Sequence, residues 1–328
     1  MELRPLTPSD TTAWSQLIAA AFSRTPDEAA AVWHWLHANH DLVAWGAWDG
    51  ARLTAQYSCL LRSLYLPATQ STHQVGISTN MAVHPDYRGQ GLVKQVAEPV
   101  YALLRQRGVL AGVGFSNAEG VKVDQRSLGY GYRVVGALSS HLIWLRLHPF
   151  VEIKALANTP AKPSIPMSEI QLTPTLPFAI EAVTTDHCSK ISFHNGLDTL
   201  QHRFAAHPFR RYRFWVYRAA NGAARGVVVD RPTTWMGLAG SSLLAAYGQE
   251  LPEVMRTWIK AVRAQGTRFV RVLATPRAEA LQALGQLGCS FKLRPRKPHY
   301  LTVKPLQPNC PTSLFDLSQW DCLGGEVL

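Results

Sequence analysis

The amino-acid sequence predicts an α/β (α+β) protein of two domains, each a mixed, mostly antiparallel sheet flanked by helices. Three observations predict it. An apolar segment ending at Val83-His84-Pro85 runs into a glycine-rich arch, Arg88-Gly89-Gln90-Gly91, and then into an amphipathic helical pattern. Asp49-Gly50 and Asn221-Gly222 each stand between strand-like runs and signal hairpins. Gly108 and Gly129 bracket one strand and one helix, and Gly266 and Gly288 bracket another such pair at nearly the same spacing. That internal echo implies a duplicated unit.

The elements follow in order. Leu3 to Leu6 is a short strand. Thr7-Pro8-Ser9-Asp10 and Thr25-Pro26-Asp27-Glu28 each supply an N-cap hydroxyl, a proline at the first helical position and an acid at the third, so two helices begin there. Leu42 to Trp48, Arg52 to Leu66 and Thr72 to Val83 form a three-stranded meander. A helix from Gly91 to Arg107 buries Val93, Val96, Val100, Leu103 and Leu104; Pro99 should kink it, and Gly108 ends it. Val109 to Phe115 is a buried strand, Asn117 to Leu128 a helix, and strands continue through Leu147. Residues 156–185 are rich in Pro, Thr and Ser and read as a boundary. The expected division is a first domain at 1–150, a linker at 151–185 and a second domain at 186–328. In the latter, strands Arg213–Arg218 and Arg225–Val229 precede a helix (Pro252–Gln265), a strand (Phe269–Ala274) and a helix (Pro276–Leu287).

Composition bounds the function. A chain of 328 residues with 47% hydrophobic content holds two ordinary cores. Its formal net charge of +11 attracts anions. Nucleic acid is one such partner, and the mixture of cations and aromatics from His202 to Arg218 is compatible with it, as are Lys292, Arg294, Arg296 and Lys297. No recognition helix or RNA-binding signature accompanies them, and a helix followed by an amphipathic strand explains the first run. The five cysteines are odd in number and form no C-x-x-C pair, which argues against a disulfide scaffold or structural zinc and favours a reducing cytoplasm. The opening Met-Glu-Leu-Arg-Pro-Leu lacks the apolar core of a secretion signal, and no apolar run reaches membrane-span length. His34, His37, His40 and Asp41 share helical spacing, but Trp33 and Trp35 interleave them; a helix packed by tryptophan with exposed histidines accounts for the pattern, and no metal is expected.

The arch carries the chemistry. A turn opening a helix leaves several main-chain N–H groups unpaired at the positive end of the helix dipole. Arg88 adds a fixed charge, and Gly89 and Gly91 let a ligand approach the main chain. A phosphate-bearing ligand fits. The stretch Met81-Ala-Val-His-Pro-Asp-Tyr-Arg-Gly-Gln-Gly-Leu-Val93 resembles the acyl-CoA-binding motif of the GNAT N-acetyltransferase superfamily, Gln/Arg-x-x-Gly-x-Gly/Ala, with Val93 at the last position. The order of elements over roughly 1–147 is similar to the GNAT fold, and the echo makes the chain similar to tandem GNAT proteins.

That resemblance implies roles. Strands four and five part, and the pantetheine arm of acetyl-CoA pairs with Met81, Ala82 and Val83. A backbone N–H near Met81 polarises the thioester, the pyrophosphate rests on N–H groups of Arg88, Gly89, Gln90, Gly91, Leu92 and Val93, and Asn117 contacts the arm. The tyrosine that commonly protonates the leaving thiolate is replaced by Gln125; Asp124, Tyr130 and Tyr132 are neighbouring substitutes. Ser78, Thr79 and Asn80 line the approach, none a strong base, and His84 reads as a turn residue. Trp33 and Trp35 border the region where the family places its acceptor. The second copy lacks the arch, its segment being Gly237-Leu-Ala-Gly-Ser-Ser, so one working cofactor site and a degenerate partner domain are expected. The implied activity is transfer of an acetyl group from acetyl-CoA to a primary amine of a small molecule, such as an amino sugar or aminoglycoside. A non-catalytic acyl-CoA sensor and a basic nucleic-acid-binding protein are the alternatives. No pattern in Trp320–Leu328 assigns it a role, and the sequence does not fix the oligomeric state.

Overall fold

A computed structural model describes residues 1–22, 24–38, 41–117, 120–121, 131–145, 167–173, 189–248, 250–287, 289–294 and 298–326. The chain forms two units. The first contains Met1–Gly136 and His299–Asp316; the second contains Ala137–Pro298 and Leu317–Leu328.

In the first unit, β1 (Glu2–Pro5) is followed by α1 (Thr11–Phe22) and α2 (Pro26–His37). The capping chemistry is as the sequence predicts: the Asp10 carboxylate accepts from Thr7 N at 2.8 Å, and Thr25 and Glu28 cap each other reciprocally at 3.1 and 3.2 Å. Then come β2 (Leu42–Asp49), β3 (Arg52–Leu66), β4 (Ser71–Val83), α3 (Leu92–Gln106), β5 (Ala111–Asn117) and β6 (Arg133–Ala137). α3 continues through Pro99. It ends where Gly108, at φ +71°, lets Val109 N donate to Leu104 O at 3.0 Å. Val96, Val100, Tyr101 and Leu104 of α3 pack on Tyr57 and Cys59, while α1 and α2 bring Trp14, Leu17, Trp33 and Leu36 to the face that carries Ala44 and Ala82. Val93 and Leu103 are only partly buried.

The sheet order is β1-β2-β3-β4-β5-β15-β6, where β15 is His299–Pro305. β15 pairs antiparallel with β5 from His299↔Asn117 to Pro305↔Ala111, and Leu301 and Val303 are wholly buried.

The second unit starts with β7 (Ser139–Trp144), β8 (Met167–Thr173) and the short β9 (Ser192–Phe193). After α4 (Leu197–Leu200) come β10 (Arg213–Ala219), β11 (Ala224–Trp235) and β12 (Leu238–Gly248). α5 (Leu251–Ala264), β13 (Phe269–Ala274), α6 (Glu279–Gly285) and β14 (Cys289–Leu293) complete it. Its sheet runs β14-β7-β13-β12-β11-β10-β8. Val254, Met255, Trp258, Ile259 and Val262 of α5 cover one face, and Gly266 closes that helix as Gly108 closes α3, with Thr267 N donating to Val262 O at 3.1 Å.

Read from β1 in one unit and β8 in the other, the two strand orders correspond. The place between the fifth strand and the last is taken in each sheet by a strand from the opposite half of the chain. The sequence-based division at 150 and 186 leaves each domain continuous; the structure gives β7 to the second unit and β15 to the first. Residues 167–173, within the expected linker, are an edge strand against β10. β15 alternates apolar and polar residues through Leu301, Thr302, Val303 and Lys304, β7 does not alternate, and neither pattern says which neighbour a strand takes.

The cations of His202–Arg218 have structural work. Asp230 is fully buried and accepts from Arg213 Nε at 2.8 Å, Arg213 Nη2 at 2.6 Å, Trp215 Nε1 at 3.1 Å and Ser241 Oγ at 2.5 Å. Removing the carboxylate leaves three donors unmatched, one of them a guanidinium. Asp230→Ala should therefore lower stability by about 3–5 kcal/mol in urea denaturation, and a loss below about 1 kcal/mol would show the network to be dispensable.

Candidate functional site

The site is built where β4 leaves β5. The two strands are parallel neighbours only at Val75↔Ala111, Gly76↔Gly112 and Ile77↔Val113. Beyond that, β4 follows β3 and β5 follows β15, so the pair opens toward its carboxyl ends. At the opening β4 carries a bulge: Thr79 faces Ser58 and Ala82 faces Gln56, so Asn80 and Met81 stand opposite Tyr57 alone. Asn80 takes φ +49° to make it, and its Nδ2 donates to Thr79 Oγ1 at 3.0 Å. A bulge withdraws one residue from the ladder and re-aims its amide.

After Val83 the chain turns through Pro85–Tyr87. His84 holds this turn, its Nε2 lying 2.8 Å from Arg52 Nη2. Arg88 N donates to Pro85 O at 3.3 Å, so the amide at position 88 is already used. Gly89 (φ +82°) and Gly91 (φ +70°) then shape the arch, with Gly91 as the left-handed N-cap of α3. Lys94 N donates to Gly91 O at 3.2 Å. Among the described residues, the amides of Gly89, Gln90, Gly91, Leu92 and Val93 donate to no main-chain acceptor in this turn. Five donors thus gather at the positive end of a helix of fifteen residues. A Cβ at Gly89 or Gly91 would meet nothing within 4 Å, so the space over the amides is open. Arg88 is exposed beside it, and Val93, partly buried, packs against the core beneath α3.

Asn117, at the end of β5, accepts from Gly120 N at 2.9 Å through its side chain. Tyr132 belongs to the core that α3 covers. Its hydroxyl is 3.2 Å from that of Tyr57, which in turn accepts from Tyr101 at 2.8 Å, and the Lys304 ammonium sits 4.6 Å from the Tyr101 ring centroid. Burial raises the Tyr57 and Tyr101 hydroxyls well above their usual range and pushes the Cys59 thiol up to about 12; burial, with Arg105 nearby, lowers Lys304. Asp124, Gln125 and Tyr130 lie outside the described residues.

The opposite face of the sheet holds groups that strand periodicity hid. Gln56 is fully buried across from Ala82, and neither end of its amide has a hydrogen-bond partner among the described residues. The same holds for the indole N–H groups of Trp14, Trp33 and Trp48 and for His37 Nε2. A polar residue in a strand reads as ordinary alternation, and only tertiary packing shows it buried. His37 meets Trp33 edge-on with ring centroids 4.1 Å apart, and burial lowers its pKa. His40 is outside the described residues, and no group of three metal-ligating side chains occurs among those described.

The element order, parted parallel pair, bulge and amide-lined arch define an acetyltransferase-type fold. Residues 2–133 match the protein-family model described as Acetyltransferase (GNAT) domain. Solved structures extend the likeness over the whole chain. A probable N-acyltransferase from Enterococcus faecalis V583 aligns at a TM-score of 0.68 and 13% identity, over 93% of this chain and 72% of that one. A GCN5-related N-acetyltransferase from Anabaena variabilis ATCC 29413 gives 0.65 and 8%, over 93% and 73%. A tandem GNAT protein from the clavulanic acid biosynthesis pathway gives 0.54 and 14%, over 94% and 99%. At these identities the likeness is one of fold. Among curated proteins none matches the sequence. Among the described residues no helix is long and apolar enough to cross a membrane.

Proposed function

We propose that the protein is an N-acetyltransferase that moves an acetyl group from acetyl-CoA to a primary amine of a small molecule. The observation that carries this reading is the run of five undonated amides, Gly89 to Val93, beside Arg88 and next to two parted parallel strands. In this reading the amides hold the pyrophosphate, and the guanidinium of Arg88 adds charge. Met81, Ala82 and Val83 pair with the pantetheine arm as an added strand, and Asn117 meets it from β5. A main-chain N–H of the bulge hydrogen-bonds the thioester carbonyl and stabilises the oxyanion as the neutral amine attacks. The C–N bond forms, the C–S bond breaks, and coenzyme A leaves as thiolate.

Asn80 holds a water that takes the amine proton; Asp124 and Tyr130 are the candidates for returning one to sulfur. In this reading the acceptor is a polar amine such as an amino sugar or aminoglycoside. The thiols of Cys59 and Cys310, which form no disulfide among the described residues, support a reducing, cytoplasmic setting.

Gln125 at the position of the family's acid favours one second reading, a sensor that binds acetyl-CoA without turnover. Thiol release from acetyl-CoA should rise above the water-only rate with at least one member of a panel of amino sugars, aminoglycosides, polyamines and peptide amines. Saturable binding with no release across the panel would select the sensor.

A further inference from the structure

The second unit repeats the opening that forms the site in the first. β12 and β13 are parallel neighbours only from Gly240↔Phe269 to Leu243↔Val272. Just beyond, β12 carries a one-residue bulge at Leu244, between the pairs Asp230↔Leu243 and Val229↔Ala245. The arch is what differs. Gly237-Leu-Ala-Gly-Ser-Ser, the segment the sequence suggests as its counterpart, runs from the β11–β12 turn into β12; Met236 and Gly237 both take positive φ there. The topological counterpart lies between Gly248 and Leu251, where Glu250 caps α5 and Glu253 follows in its first turn. Glu253 is ion-paired with Arg256, and the Glu250 carboxylate at that end repels a pyrophosphate.

The parted strands of this unit are filled by the chain itself. Trp320 O and Cys322 O accept from Thr275 Oγ1 at 2.7 Å and Thr275 N at 2.9 Å, and Cys322 N donates to Thr275 Oγ1 at 3.1 Å. Leu323 bridges Ala274 antiparallel. Gly324 then lies on Leu273 of β13 and Gly325 on Leu244 of β12, so the segment passes between the two strands at the bulge. A Cβ on Gly325 would come within 2.4 Å of the Leu244 carbonyl oxygen. Glu326 anchors the far end, accepting from Arg203 Nη1 at 3.0 Å and Asn195 Nδ2 at 3.1 Å, all three side chains being buried.

We propose that Trp320–Glu326 is a built-in occupant of the second cleft, lying between β12 and β13 as an acyl-carrier arm would and closing this unit to such a ligand. The proposal rests on reading the first unit's parted strands as an arm-binding cleft. The cleft retains the shape for an extended, amide-containing, thiol-ended chain without phosphate groups, and the protein binds one acetyl-CoA, at the arch.

Hydrogen exchange on the full chain, with acetyl-CoA and separately with millimolar pantetheine, tests this. In the wild type, acetyl-CoA should protect Met81–Val93, and neither probe should alter Leu244–Gly248. In Gly325→Val, peptides spanning 320–326 should exchange at least about 10-fold faster while β10 and β11 stay protected, and pantetheine should now slow exchange at Leu244–Gly248. Should that variant not fold, Glu326→Gln, which keeps the shape and removes the charge, is read in the same way. The proposal falls if 320–326 stays as protected as in the wild type, if pantetheine has no effect once the segment is loose, or if acetyl-CoA perturbs 320–326 in the wild type. Protection at Met81–Val93 is read separately, so loss of the first-unit reading is told apart from loss of this one.

Discussion

Acetyl-CoA affinity should fall by about 100-fold or more when Gly91 is replaced with glutamate, in a protein that stays folded. Gly91 takes φ +70° at the start of α3, which costs any L side chain about 1–2 kcal/mol. A Cβ there meets nothing, so the strain is local and the core is untouched. The glutamate would extend over the five amides and set a negative charge within several ångströms of the pyrophosphate. At an intermediate effective dielectric, two such like-charge pairs cost about 3 kcal/mol, which is the expected 100-fold. Gly91→Ala separates the causes: it carries the strain without the charge and should weaken binding only a few-fold. Calorimetry on the three proteins, with thermal melts as the folding check, reads the result. Equal affinity for wild type and Gly91→Glu would rule the arch out as the phosphate site.

Residues 1–185 expressed alone should fail to give a cooperatively folded domain, although they contain the whole family match at 2–133. The reason is β15. It lies between β5 and β6, pairs with β5 over its full length, and buries Leu301 and Val303 completely. Each aliphatic side chain so buried is worth about 1.5–3 kcal/mol, and the exposed edges of β5 and β6 add an aggregation hazard. Against a total stability of about 5–15 kcal/mol, that loss is decisive. Co-expression with residues 186–328 should restore a soluble complex, because that piece brings β15. Circular dichroism melts and size-exclusion chromatography check both outcomes; a fragment melting cooperatively near the full chain's temperature would show β15 to be dispensable.

Much of the architecture is written in short-range chemistry. Thr25 and Glu28 cap α2 reciprocally because a hydroxyl and an acid three residues apart can reach each other's amides. Gly108 and Gly266 end their helices because they adopt positive φ without a steric cost. Gly89 and Gly91 shape the arch for the same reason, so that part of the candidate site is legible in the residue order alone. Pro99 sets two local rules against each other: a helix-breaking residue lies inside α3, and the apolar stripe of Val96, Val100 and Leu104 carries the helix through it.

By itself, then, the sequence determined the caps of α1 and α2, the meander, the amide-rich arch with α3, and the doubling of the pattern, while it read β8 as linker and left β12, β14 and β15 unassigned. Beyond the hairpins at Asp49-Gly50 and Asn221-Gly222, only the tertiary structure decided which strand stands beside which. β7 and β15 change sheets, Gln56 is sealed under α1 and α2, and Gly324-Gly325 lies in the second cleft. The physical reason is range. Backbone conformation depends on neighbours within a few residues, whereas pairing and burial depend on partners far along the chain, which no local pattern specifies.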